Sequence, residues 1–252
     1  KIYYDQTSQR NACYLDVTDF VKKEGYGNYT AINIPYANMA AGTWSVGSDL
    51  FGAWKLVVVE EDATLPLRMV CLKLGGTSVI SGQSTNAEIS GDGLVVKGGT
   101  ETKPSGELLF SMDGYDMVDN TQTLQYSTST SGGNKKLAES PYRSNNYFYT
   151  GMILHNGEEL DNTPKAFPAY QANSTTRLTA AALHGGAVFD TYNTDFEVMK
   201  INDESNSGSM QLSGGEKQVT MKADTSSAPT LLSALGLAID IVVPEFESDI
   251  TV

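Results

Sequence analysis

Two acidic clusters carry the side chains in this sequence that are best suited to chemistry. One is SMDGYDMVDN and the other is FDTYNTDFE. Carboxylate and amide oxygens are the ligands that a hard cation such as calcium takes in proteins. Calcium is therefore the candidate metal, with a solvated acidic loop as the alternative at each cluster. The candidate ligands are Asp113, Asp116, Asp119, Asp190, Asn193 and Asp195.

A catalytic role for these carboxylates is not predicted. Strand alternation would place Asp195 and Glu197 on one face, but hydrolysis of a sugar needs two carboxyl groups with split pKa values, and spacing alone does not identify such a pair. The sequence has no G-x-S-x-G nucleophile elbow, and His155 and His184 have no recognisable nucleophile partner or metal-ligand spacing. We predict that the chain is not an enzyme.

The two cysteines, Cys13 and Cys71, each fall in a segment that is typical of a strand. In an oxidising compartment they are candidates for a disulfide, which would stabilise the fold by about 4 kcal/mol on the chain-entropy model. Two buried free thiols are the alternative.

The net charge of −13 restricts the class of partner. Such a field repels phosphate backbones and anionic lipids, and cationic ligands suit it better. No apolar run reaches the roughly 18 residues of a membrane span, and the N-terminal residues lack the apolar core of a signal peptide. We predict no nucleic-acid partner, no membrane insertion, and a secreted protein whose targeting signals lie outside residues 1–252.

The elements that position these residues are predicted to be strands. The chain is rich in glycine and short polar residues, and apolar segments from Thr77 to Gly114 recur about every ten residues between glycine turns, as in a sandwich. We predict an all-β fold with few short helices: one large β-sandwich over residues 1–245, with a jelly-roll-like topology as one form. Insertions are expected over 111–180, and residues 246–252 are predicted to begin a linker.

The central strand is predicted at WKLVVVEE, because its unbroken apolar run suits burial on both faces. It is expected to form a hairpin with LRMVCLKLGG. Further strands are predicted at NACYLDVTDFV, YGNYTAINIPY, NNYFYTGMI, DFEVMKIN and LLSALGLAIDIVVPEF, and a hairpin over Gly214 and Gly215. A helical turn at KLAES is an option, and TTRLTAAALHGG is either a short helix or a strand, with a strand favoured.

The segment FGAWKLVVVEEDATLPLRMVCLKLGG resembles the central strand pair of large β-sandwich domains in Gram-positive cell-wall-anchored surface proteins. The matching positions are Gly52, Trp54, Leu56, Val57, Val58, Val59, Glu60, Pro66, Leu67 and Arg68. YLDVTDFVKKEGYGNYTAINI and the region from DFEVMKIN to the closing strand are similar to the start and end of such domains. Lys55 departs from the pattern, in which a small residue is commoner.

The resemblance implies an extracellular adhesin domain, anchored to the cell wall through regions outside this chain, that attaches to a glycan or protein on a host or environmental surface. The alternatives are a structural stalk or pilus-type subunit and a carbohydrate-binding module of a secreted enzyme. Proteins of this kind also form lysine–asparagine amide cross-links, which makes Lys55 a candidate for such a bond, with a lysine at the sheet rim as the alternative. The resemblance depends on Trp54–Val59 being buried between two sheets.

Overall fold

The fold is taken from a computed structural model. It describes residues 2–5, 10–32, 54–79, 84–90, 103–114, 122–131, 133–139, 143–146, 148–149, 153–156, 158–159, 194–225 and 230–241.

The described elements are one short helix and twelve strands. The helix is α1 (Thr18–Glu24). The strands are β1 (Ile2–Asp5), β2 (Arg10–Cys13), β3 (Arg68–Val79), β4 (Ser84–Ser90), β5 (Gly106–Gly114), β6 (Gln122–Thr128), β7 (Lys135–Lys136), β8 (Ile153–His155), β9 (Glu158–Glu159), β10 (Thr194–Ile201), β11 (Gln218–Thr225) and β12 (Thr230–Asp240).

The strands form three sheets. A six-stranded sheet has the order β3-β12-β5-β10-β8-β9, a four-stranded sheet has the order β4-β11-β6-β7, and β1 pairs with β2. All pairs are antiparallel except β10 with β8. Strands β3 and β4 follow each other in the chain but belong to different sheets.

One apolar cluster joins the two larger sheets. Alternate residues of β5, Leu108, Phe110 and Met112, belong to it together with Leu124 of β6 and Val219 of β11, and all five are fully buried. Burying a large apolar side chain stabilises the fold by about 1.5–3 kcal/mol. The all-β prediction is confirmed. The sandwich and its jelly-roll-like topology stay predictions, and this shared core is consistent with them.

The core and the exposed apolar residues come from different parts of the chain. Among the residues before Pro104 whose burial is described, which are 12–32, 54–75 and 103, none is fully buried. Of the segments before Pro104, β3 contributes Met69 and Cys71, which pack against the core from an edge of the six-stranded sheet. The buried core residues of the described chain therefore come from Pro104 onward, whereas residues 12–32 and 54–75 are exposed or half-buried.

The predicted central strand over Trp54–Val59 is wrong. This segment has no strand structure and lies at the surface, with Trp54 46% and Val59 61% exposed. The predicted hairpin is wrong for the same reason, because β3 pairs with β12 instead. Four consecutive apolar residues favour a buried strand only where a neighbouring strand pairs with them, and residues 54–60 form no strand pairing in the structure.

Other predicted elements have mixed outcomes. The strands at LRMVCLKLGG, DFEVMKIN and LLSALGLAID are confirmed as β3, β10 and β12. The strand NACYLDVTDFV ends at Cys13 and is followed by α1, which was not predicted. The hairpin over Gly214 and Gly215 is wrong, because residues 208–217 contain no strand and β11 pairs with β4 and β6.

Three further segments differ from the predictions or lie outside the described residues. Residues 26–32 have no strand structure. At KLAES, Glu139 forms a β-bridge with Arg143 instead of a helical turn. Residues 175–186 and 246–252 fall outside the described ranges, so the predictions for TTRLTAAALHGG and for the linker concern residues that are not described.

Candidate functional site

The exposed apolar side chains that the structure describes come from one part of the sequence. Within the described ranges, every large apolar side chain that is exposed lies between Leu15 and Leu74. Contiguous exposed apolar surface in a folded protein marks a contact site. We call residues 15–32 and 54–67 the acidic–aromatic surface. Its exposed apolar members are Leu15, Phe20, Tyr26, Ile32, Trp54, Val58, Val59, Leu65 and Leu67.

The two segments of the acidic–aromatic surface are joined by a hydrogen bond. The Tyr26 hydroxyl, on a side chain that is 90% exposed, donates to Glu60 Oε2 at 2.5 Å. This hydrogen bond and the negative charge of Glu60 raise the pKa of Tyr26, and the charge of Asp62 raises it further. Acidic and aromatic groups therefore lie side by side in water.

A cleft of about 320 Å³ opens within this surface, between α1 and the loop that follows it. Phe20 and Tyr29 line it, with ring centroids 6.0 Å apart and planes at 69°, an edge-to-face arrangement. The Tyr29 hydroxyl donates to the Gly25 carbonyl, which holds the loop against the end of the helix. Glu24 supplies a carboxylate, and Asn28 an amide. The cleft can hold one small group of mixed apolar and polar character.

Polar contacts attach this surface to the outer face of the six-stranded sheet. Ser111 and Asp113 alternate with the core residues of β5 and so lie on the opposite face. The Lys55 ammonium is 2.8 Å from Asp113 Oδ1 and also donates to Ser111 Oγ. Ser233, at the bulge in β12, donates to Asp113 Oδ2 at 2.8 Å. The Tyr14 hydroxyl lies within hydrogen-bonding distance of the carbonyls of Ser233 and Gly75, and its one proton is donated to one of them.

This geometry fits an ion pair between Lys55 and Asp113 rather than an amide cross-link to an asparagine. We expect the intact mass of the protein to equal the mass calculated from its sequence. Asp113 already balances the charge of Lys55, so no covalent bond is needed to neutralise this lysine. Mass spectrometry of the denatured chain measures this. Loss of one ammonia would indicate a lysine–asparagine bond, and loss of one water a bond to Asp113. Either loss, if it is found in the wild type and not in the Lys55→Arg variant, would overturn the ion-pair assignment.

A second cluster, inside the core, is built around Arg143. Its side chain is fully buried. Its guanidinium contacts both oxygens of Asp195, at 2.9 and 2.7 Å, and Glu197 Oε2 at 2.5 Å, and donates to the Phe148 carbonyl at 2.8 Å. It also lies 5.1 Å from the ring centroid of Phe110 and 5.4 Å from that of Phe148. Burial alone would lower the pKa of Arg143, but the carboxylates raise it above its ordinary value, so the guanidinium is charged.

Glu139 completes the buried cluster. Its backbone exchanges two hydrogen bonds with Arg143, at 2.7 and 2.6 Å. Burial raises the pKa of Glu139 to about 9, and hydrogen bonding to Glu197 together with the Glu197 charge acts in the same direction. At neutral pH this shift favours the protonated form of Glu139. The side chains of Arg143, Asp195 and Glu197 are sealed from solvent.

The structure places two of the six candidate metal ligands. Asp113 is paired with Lys55, and Asp195 is paired with Arg143. In the described part of the chain, no group of three or more acidic, histidine or cysteine side chains could hold a metal ion. Asp116, Asp119, Asp190 and Asn193 lie outside the described residues. The predicted common face of Asp195 and Glu197 is confirmed, because both are buried on the core side of β10.

Cys13 and Cys71 are free thiols in the structure. Cys13 is exposed at the end of β2, whereas Cys71 is half-buried on β3 and packs against the core. The structure therefore contains no bond between the two sulfurs, and the alternative of two buried thiols is wrong for Cys13.

No protein family matches this sequence, and no curated protein matches it. Among solved structures, the chain is similar to the one described as "Crystal structure of dimeric latent PorU from Porphyromonas gingivalis", with a TM-score of 0.32 and 8% identity over 73% of this chain. The chain spans 14% of the length of that protein. We draw no conclusion about function from a likeness of this size.

Two features of the site were missed in the sequence. The cleft depends on α1. Two residues of the sequence indicate this helix: Gly25, directly after it, and Asp16, just before it. The Asp16 carboxylate accepts a hydrogen bond from the Thr18 backbone N–H at 2.9 Å. Arg143 was missed because its partners lie more than fifty residues away on β10.

Within the described ranges, no helix has the length and apolar character needed to cross a membrane.

Proposed function

We propose that this chain is a non-catalytic binding domain of a secreted, cell-wall-anchored bacterial surface protein, and that it contacts its partner through the acidic–aromatic surface. The observation that carries the proposal is the concentration of exposed apolar side chains between Leu15 and Leu74. A monomeric domain rarely leaves such a surface in water without a binding role.

The composition of this surface resembles that of protein interfaces. Aromatic residues are enriched at such interfaces, because a large rigid side chain buries much area at a small cost in entropy. Trp54 and Tyr26 are of this kind and are exposed. A partner protein or glycan on a host or environmental surface would cover them. The segment that was predicted as a central strand is therefore assigned a different role, as part of the contact surface.

The setting on a cell wall rests on the resemblance described above. The burial of Trp54–Val59 on which that resemblance depends is not met, because the segment is exposed and forms no strand. What still supports the cell-wall setting is the three strands found where the resemblance expects them, β3, β10 and β12. A carbohydrate-binding module is the second candidate, favoured by the exposed rings of Trp54, Tyr26 and Phe20, since sugars pack on aromatic faces.

The test is binding of the purified chain to an array of glycans and extracellular proteins, with and without a calcium chelator. We expect Trp54→Ser to weaken binding about thirtyfold, as truncation of a hot-spot residue worth about 2 kcal/mol does. Val59→Ser, at a more exposed position, is expected to weaken it less. The melting temperature of each variant shows that it is folded.

The matched control is Lys217→Ser, at an exposed position outside the acidic–aromatic surface, which is expected to bind as the wild type does. If folded Trp54→Ser and Val59→Ser bind as tightly as the wild type, the surface is not the contact site. If the folded wild type binds no member of the array, a stalk role replaces binding.

A further inference from the structure

The cleft between α1 and residues 25–30 has the size of a site for one side chain. Its volume of about 320 Å³ is at the lower end of the range of ligand pockets, about 300–1,000 Å³. Phe20 and Tyr29 form two walls at 69° to each other. Because the Tyr29 hydroxyl is bound to the Gly25 carbonyl, the ring is held in place before a ligand arrives.

The net negative charge of the acidic–aromatic surface favours a cation, and Glu24 is the carboxylate that lines the cleft. Residues 15–32 and 54–62 contain six carboxylates and, apart from Lys55, which is paired with Asp113, only Lys22 and Lys23 as cations. Glu24, in the cleft, is 3.2 Å from Lys23, but the two side chains are 47% and 80% exposed. An ion pair exposed to this degree contributes little free energy, so an incoming cation can displace the lysine from the carboxylate.

Aromatic faces and a carboxylate together recognise one chemical class. A guanidinium or ammonium group is attracted to the face of a phenyl or phenol ring, and its positive charge is bound by a carboxylate. We propose that this cleft binds an arginine or lysine side chain of a partner polypeptide, with Glu24 holding its charge and Phe20 and Tyr29 holding its stem and head. This inference rests on the proposed function and names the chemistry of its partner.

The experiment titrates the ¹⁵N-labelled chain with three probes: N-acetylarginine amide, the uncharged isostere N-acetylcitrulline amide, and methyl glucoside. We expect the arginine probe to give saturable shifts of the Gly25, Gly27 and Asn28 amides. The citrulline probe is expected to bind about tenfold more weakly, as loss of the charge interactions predicts.

Two substitutions locate the site. Glu24→Gln and Phe20→Ala are each expected to weaken the arginine probe about tenfold. Glu204→Gln removes an exposed carboxylate elsewhere and is expected to have no effect. Folding of each variant is checked by the dispersion of its amide spectrum, and both target positions are exposed.

Several outcomes would overturn the inference. Equal binding of the arginine and citrulline probes would exclude a cation site, and binding of methyl glucoside alone would assign the cleft to a sugar. An unchanged affinity in Glu24→Gln would remove the proposed charge partner. None of these results affects the array test with Trp54→Ser, so failure of this inference and failure of the proposed function are distinguishable.

Discussion

Replacing Arg143 by methionine is expected to reduce the free energy of unfolding by about 3–5 kcal/mol, because removing one partner of a buried ion pair leaves uncompensated charge in the core. Here two carboxylates, Asp195 and Glu197, lose their cation at once. The Phe148 carbonyl also loses a donor, and the rings of Phe110 and Phe148 lose their contact with the guanidinium. Urea unfolding at pH 7 measures the loss.

The matched control is Arg68→Met. Arg68 pairs with Asp240 at 3.0 Å and Glu107 at 3.6 Å, but its side chain is 24% exposed, so we expect a loss of at most about 1 kcal/mol. A variant in which Arg143, Asp195 and Glu197 are all replaced by apolar residues should recover most of the lost stability, since no buried charge remains. Equal losses in the two arginine variants would contradict this assignment of Arg143.

Glu139→Gln is expected to flatten the dependence of stability on pH. The pKa of Glu139 is about 9 in the folded chain, raised from an ordinary value of 4.5. Between these values the unfolded chain loses this proton while the folded chain keeps it, so the free energy of unfolding falls as pH rises. The contribution of this group is fully present below about pH 4.5 and is lost by about pH 9.

The measurement is urea unfolding of the wild type and Glu139→Gln at several pH values from 4.5 to 9. Glutamine keeps a hydrogen-bond donor for Glu197 and does not ionise, so the variant should gain stability relative to the wild type by up to about 1.4 kcal/mol per pH unit. Glu204→Gln, at an exposed site, serves as the control and should follow the wild type. Parallel curves for all three chains would show that Glu139 is ionised in the fold.

Strand prediction succeeded where the sequence pattern also shows which face of the strand is buried. Alternation in DFEVMKIN identifies β10 and places Asp195 and Glu197 on one face, and both are buried there. Strand prediction failed for Trp54–Val59. An apolar run shows that burial would be favourable, but it does not show that another strand pairs with the segment. The sheet order depends on pairings such as β12 with β3 and β5, which are distant in the chain.

The candidate site was less predictable than the fold. Acidic residues were predicted to be the chemically distinctive groups, but whether a carboxylate meets a metal, a lysine or a buried arginine depends on contacts between distant segments. Asp113 meets Lys55, and Asp195 meets Arg143. The cleft also depends on the local geometry of Phe20 and Tyr29 around a short helix, which strand alternation does not indicate.

The attachment of the early segments to the outer face of the six-stranded sheet has a mechanical consequence. Lys55 and Tyr14 hold these segments through polar contacts, whereas the apolar interior lies on the opposite face of β5. A tensile load applied through residues 10–32 or 54–62 would reach these few links first. The segments would peel from the sheet before the interior opened, and would settle back onto an intact scaffold once the load was released.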